Sequence, residues 1–220
     1  SMAGVSLAAP SAGVDTARVP AGSDRVVSVP FTLEMLGEFE TSSASGTTVS
    51  LAGSPGLEAD GLVGTHYVRV IDGPGAGLWS DISANGAGSM TLADGDVAGL
   101  LATGGGQTVR VYPHQTIGSV FPDKLRGVSF VEGTSVLFFD NGAGIQNLPA
   151  GGAGVVTFQT FPVEGWNGVN GAATVIPPDT AIVVRNNESS AELVFVAQGV
   201  VPDYPVSFLL PSGATRDIAV

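Results

Sequence analysis

The chain contains no cysteine, which excludes disulfides, thiolate catalysis and cysteine-based zinc sites. Its absence is silent on compartment, because a protein of 220 residues needs no covalent staple to bury a core. Histidine is nearly missing too: His66 and His114 are the only two, so any imidazole-dependent mechanism must use one of them. Basic residues are scarce, 8 Lys and Arg against 20 Asp and Glu, leaving a formal charge of -12 that repels phosphate backbones and anionic headgroups. Nucleic acid and membrane-surface partners are therefore disfavoured. No stretch approaches the ~18 uninterrupted apolar residues of a membrane helix, so no membrane insertion by helices is expected.

What is abundant is glycine and proline, 32 and 14 residues. They chop the sequence into apolar pieces too short for ordinary helices and the right length for strands. Val26–Val29, Thr47–Leu51 and the alternating Tyr67–Ile71 read as strands. The GPGAG turn at Gly73–Gly77 then leads into Leu78–Ile82 as a hairpin. Met90–Leu92 and Thr108–Tyr112 continue the series, and Val97–Leu101 is the one helical turn. Further on, Ser129–Val131, Ser135–Phe139, Gly154–Phe158, Ala181–Arg185 and Glu192–Val196 are apolar almost throughout, as in strands covered on both faces. With 44% hydrophobic and only 13% charged residues, core material is ample and disorder is not expected for most of the length.

The fold class is read as all-β, a β-sandwich with an inserted small β-barrel. Residues 37–113 are expected to form a five-stranded barrel, residues 17–36 and 114–220 the sandwich, and residues 1–16 a flexible tail. Pro30-Phe31 and Ile117–Pro122 are expected to be sheet elements of the sandwich. Ser1-Met2 reads as a cloning remnant, and Ala3–Ala12 looks like the surroundings of a signal-peptide cleavage site, pointing to a mature exported form.

Signals for chemistry are weak. No G-x-S-x-G elbow occurs. Gly73-x-Gly75 and Gly152-x-Gly154 both fail the dinucleotide fingerprint at the third glycine, and no Lys-Ser or Lys-Thr follows a glycine loop. Glu164 beside Trp166 and Asp140 after Phe139 are the best-placed acids for hydrolysis, but both lie in turns where carboxylates commonly cap the backbone. Asp94-Gly95-Asp96 lacks the remaining ligands of a calcium loop. Catalytic residues, metals and cofactors are accordingly expected to be none. Asn187-Glu188-Ser189 fits a glycosylation sequon. Trp79, Trp166 and Tyr204 stand in or near turns where they could stack on sugar rings, the competing reading being that Trp79 faces the barrel core and Trp166 packs a loop.

The segments VPAGSDRVVSVPF (Val19–Phe31), VYPHQTIGSVFPD (Val111–Asp123) and IPPDTAIVVRN (Ile176–Asn186) resemble a family of uncharacterised, exported, glycine-rich bacterial β proteins. The resemblance implies export and supplies no activity. In that family an aromatic usually stands at the position of His114, so the resemblance counts against a catalytic role for it. The leading expectation is thus an exported, non-catalytic structural or assembly module that self-associates at the cell surface or in the extracellular space. The alternative is a glycan-binding module using Trp79, Trp166 and Tyr204, and, behind it, a carboxylate-dependent hydrolase.

Overall fold

A computed structural model describes residues 11–121, 133–138, 155–160, 162–168, 170–188, 190–204 and 206–207. The fold is all-β. Six strands, β3 (Gly37–Ser45), β4 (Thr48–Leu51), β5 (His66–Val70), β6 (Trp79–Gly86), β7 (Ser89–Leu92) and β8 (Thr108–Pro113), close into a barrel in the order β3-β4-β7-β6-β5-β8. Every neighbouring pair is antiparallel. Alternation fixes the two sides of the wall. Val49, Leu51, Val68, Val70, Val109 and Val111 fill the interior, joined by Val97, Ala98 and Leu101 from the short helix α1 (Gly95–Gly99) and its exit.

The sixth barrel strand, β3, was not expected. Its sequence GEFETSSAS carries one large apolar residue and reads as polar loop, yet it closes the barrel by pairing with β4 and β8 across a bulge at Thr41/Ser43. Its place is set by partners on both sides rather than by its own propensity. Behind β3, Gly105 adopts φ +75°, where an added Cβ would lie 2.4 Å from the carbonyl carbon of Ser42, so the turn into β8 requires glycine.

The remaining strands form two layers. One is a five-stranded sheet in the order β12-β11-β10-β14-β2, built from β2 (Asp24–Ser28), β10 (Ser135–Phe138), β11 (Val155–Gln159), β12 (Gly165–Asn167) and β14 (Ala181–Arg185). The other is the ribbon β1 (Ala12–Val19) with β15 (Leu193–Val200). Val19, Val136, Phe158, Ile182 and Phe195 from both layers share one core. A two-stranded bridge, β9 (Gln115–Thr116) with β13 (Val175–Ile176), connects the barrel exit to this unit.

Three expectations change here. Residues 12–16, read as tail, form the first part of β1, because pairing with β15 outweighs a small-residue sequence of weak propensity. Residues 117–120 form the helical turn α2 (Ile117–Val120) rather than a strand, since Thr116 and Ser119 make a reciprocal capping box. Pro30-Phe31 is not in a strand; the chain touches the sheets there only through a bridge between Thr32 and Val200. Asp140, the strand Ser129–Val131, Gly152-x-Gly154 and Ser189 of the sequon lie outside the described residues.

Candidate functional site

Alternation on β5 turns Tyr67 and Arg69 away from the barrel interior, yet both are buried, because the outer wall of β6-β5-β8 is covered by residues from the sandwich side. In register, Tyr67 lies opposite Tyr112 on β8 and Asp81 on β6, while Arg69 lies opposite Arg110 and Trp79. Two guanidinium groups facing each other across a ladder are unfavourable unless each is neutralised. Arg69 is met by Asp179 at 2.7 Å and donates to the Gly77 carbonyl at 2.8 Å. Arg110 is met by Glu38 at 2.8 Å and Asp203 at 2.5 Å.

Tyr204 lays its ring over the Arg69 guanidinium, 4.3 Å from the ring centre, with its hydroxyl set against that of Tyr67. Tyr67 in turn stacks on Tyr112 at 5.6 Å and meets the edge of Trp79 at 5.9 Å. His114 completes the cluster, its ring 5.1 Å from Tyr67 and its Nε2 2.9 Å from Asp81. Burial raises the Tyr67 and Tyr112 hydroxyls above their ordinary range, and pushes Tyr204 up to about 12. All three are neutral donors at physiological pH, suited to holding a ligand rather than abstracting a proton.

Two depressions flank this cluster. A groove of about 700 Å³ has Trp79 as a wall and is lined also by Ser80, Asp81, Asp94, Asp96 and Ser207. Trp79 is partly exposed here, on the outside of the barrel rather than in its core. Asp81 is 57% exposed, and Asp94 uses one oxygen to cap α1 through the Asp96 and Val97 amides. A second cavity of about 420 Å³ sits where barrel and sandwich meet, between Tyr67, Tyr204, Phe31, Gln115 and four prolines: Pro30, Pro177, Pro178 and Pro202. Phe31, Gln115 and Pro177, far apart in the sequence, meet at this junction.

Trp79 and Tyr204 are thus brought into one cluster. Trp166 is not: it is 7% exposed, packs on Phe158 and Phe121 in the sandwich core, and donates its indole N–H to the Phe121 carbonyl at 2.7 Å. Its place in a polar-looking turn concealed an apolar partner set, and it has no free face for a ligand. Glu164 is exposed and lines neither depression. Asp94-Gly95-Asp96 is a helix start, and among the described residues no group of three His, Asp or Glu gathers around a point where a metal ion could sit. His66 is half-buried, hydrogen-bonded to Thr65 at 2.8 Å, and held below the usual imidazole range by burial and by His114.

Sequence reasoning missed Tyr67, Arg69, Tyr112 and Asp179. The signal was present: Tyr67-x-Arg69 and Arg110-x-Tyr112 put large aromatics and cations on the outward positions of barrel strands, where small polar residues suffice unless something covers them. Comparison of the chain with protein-family models, curated proteins and solved structures found no match.

Proposed function

We propose that this protein is a non-catalytic carbohydrate-binding module acting outside the cell, with the groove beside Trp79 as its ligand site. The observation that carries this reading is the pairing of a partly exposed indole on the outer barrel wall with carboxylates of Asp81, Asp94 and Asp96 along the same groove. A pyranose presents an apolar C–H face and a rim of hydroxyls. The indole takes the face, and carboxylates and serine hydroxyls take the rim. The net charge of -12 and the acidic walls favour neutral or amino sugars over uronic and sialic acids. Action outside the cell is supported by the family resemblance and the charge-poor composition.

A glycan array probed with the wild-type protein and Trp79→Ala tests this. Retained signals on neutral or amino sugars that fall at least tenfold in the variant support it; an empty array, or signals indifferent to Trp79→Ala, overturns it.

An assembly module is the second reading, favoured by one feature: β1 pairs only with β15 among the described strands and exposes Val14 at 68% on its eight-residue length. Light scattering at micromolar concentration with wild type and Val14→Lys decides it. A strict monomer removes this reading.

A further inference from the structure

The cavity between barrel and sandwich offers different chemistry from the Trp79 groove. Its volume of about 420 Å³ is that of a cleft able to take a small molecule. Four of its walls are proline rings, which have almost no side-chain freedom and cannot fold inward to fill it. Phe31, Tyr67 and Tyr204 add flat aromatic surface. The cavity offers no unneutralised charge, since Asp179 is engaged by Arg69 at 2.7 Å.

Most polar groups in the walls already direct their protons elsewhere. Thr180 donates to the Pro178 carbonyl, Thr32 to that of Val200, and the Gln115 amide to that of Phe31. Tyr204 differs: its hydroxyl and that of Tyr67 have only each other, which leaves one O–H proton of the pair without an acceptor among the described residues. Burial keeps that proton in place far above neutrality.

We propose that this cavity is a second ligand site, for a neutral, flat ring system carrying one hydrogen-bond acceptor, with the Tyr204 hydroxyl as the donor that fixes its orientation. The apolar body is held by the prolines and Phe31, and a charged ligand is refused because its charge would find no free partner there.

Two compounds of nearly the same shape test it: 2-acetylnaphthalene, which has a carbonyl acceptor, and 2-ethylnaphthalene, which has none. Equilibrium dialysis against the intact protein should show one saturable site for the ketone, with the hydrocarbon bound about fivefold more weakly, the loss of one hydrogen bond. Tyr204→Phe should bring the ketone down to the hydrocarbon's level. Val206→Trp, placed at a cavity residue that is 47% exposed, should abolish binding of both while leaving the near-ultraviolet circular dichroism of the tyrosines native-like. Absence of saturable binding overturns the proposal, as does equal affinity for the two compounds or binding that survives Val206→Trp. The site is separate from the Trp79 groove, so failure here leaves the carbohydrate reading standing.

Discussion

Replacing Asp179 is the sharpest probe of how the barrel is held against the sandwich. Arg69 has 0% side-chain exposure, and its ionic partner is Asp179, 12% exposed and 110 residues away in the chain. Arg69 Nη1 keeps the Gly77 carbonyl and the guanidinium keeps the Tyr204 ring when Asp179 is lost, but its charge then lies buried without a counter-charge. Removing one partner of such a pair costs about 3–5 kcal/mol. Asp179 also sits at φ +56°, a conformation Asp and Asn tolerate and Ala resists by about 1–2 kcal/mol. Asp179→Asn isolates the charge, because it keeps the backbone preference and one acceptor oxygen; Asp179→Ala adds the backbone strain. Urea unfolding followed by tryptophan fluorescence should therefore rank wild type above Asp179→Asn above Asp179→Ala. The last should lose about 3–5 kcal/mol or more, a drop of roughly 6–20 °C in Tm for a chain of this size. The double variant Arg69→Met/Asp179→Leu, which removes both charges, should recover most of the loss. A penalty below about 1 kcal/mol for Asp179→Ala would refute the claim that a desolvated ion pair locks the junction.

Trp166→Ala should cost about 3–5 kcal/mol in the same unfolding assay, as a large core aromatic, whereas Trp166→Phe should stay folded and retain sugar binding. Gly105→Ala should lose more than about 2 kcal/mol, combining a left-handed backbone with a Cβ pressed on Ser42, and amide exchange should rise along β3 and β8. Asp94→Ala should cost about 1 kcal/mol through the α1 cap, read as a modest fall in Tm. His66 titrates below its unfolded value, so the unfolded chain takes up a proton that the folded chain refuses. Stability should be full above about pH 6.5 and fall as the pH drops toward the folded value, and His66→Gln should flatten that slope in unfolding measured from pH 7 to 5.

Much of the fold was legible because apolar alternation and glycine turns are local signals. Tyr67–Ile71, the GPGAG turn and Leu78–Ile82 announce a hairpin, and β5 and β6 pair antiparallel there. β3 was illegible for the opposite reason: its nine residues carry only Phe39 as a large apolar group, and closure of the barrel determines its role. The site was half legible. Trp79 and Tyr204 were singled out as aromatics near turns, and they do converge, but the residues joining them, Tyr67 and Tyr112, had been absorbed into strand patterns as ordinary β-formers. Trp166 misled because hydropathy of neighbours in sequence, VEGWNG, says nothing about Phe121 and Phe158, its neighbours in space. The Arg69–Asp179 pair spans 110 residues, and no sequence spacing encodes such a contact.

With Trp166→Phe in place, Trp79 becomes the only indole in the chain and reports directly on the groove. Titrating that variant with the strongest oligosaccharide from the array should shift the indole emission to the blue, saturably, at the concentration where calorimetry places the binding midpoint. Calorimetric saturation with unchanged emission would contradict the account, because the sugar would then be held somewhere other than against Trp79.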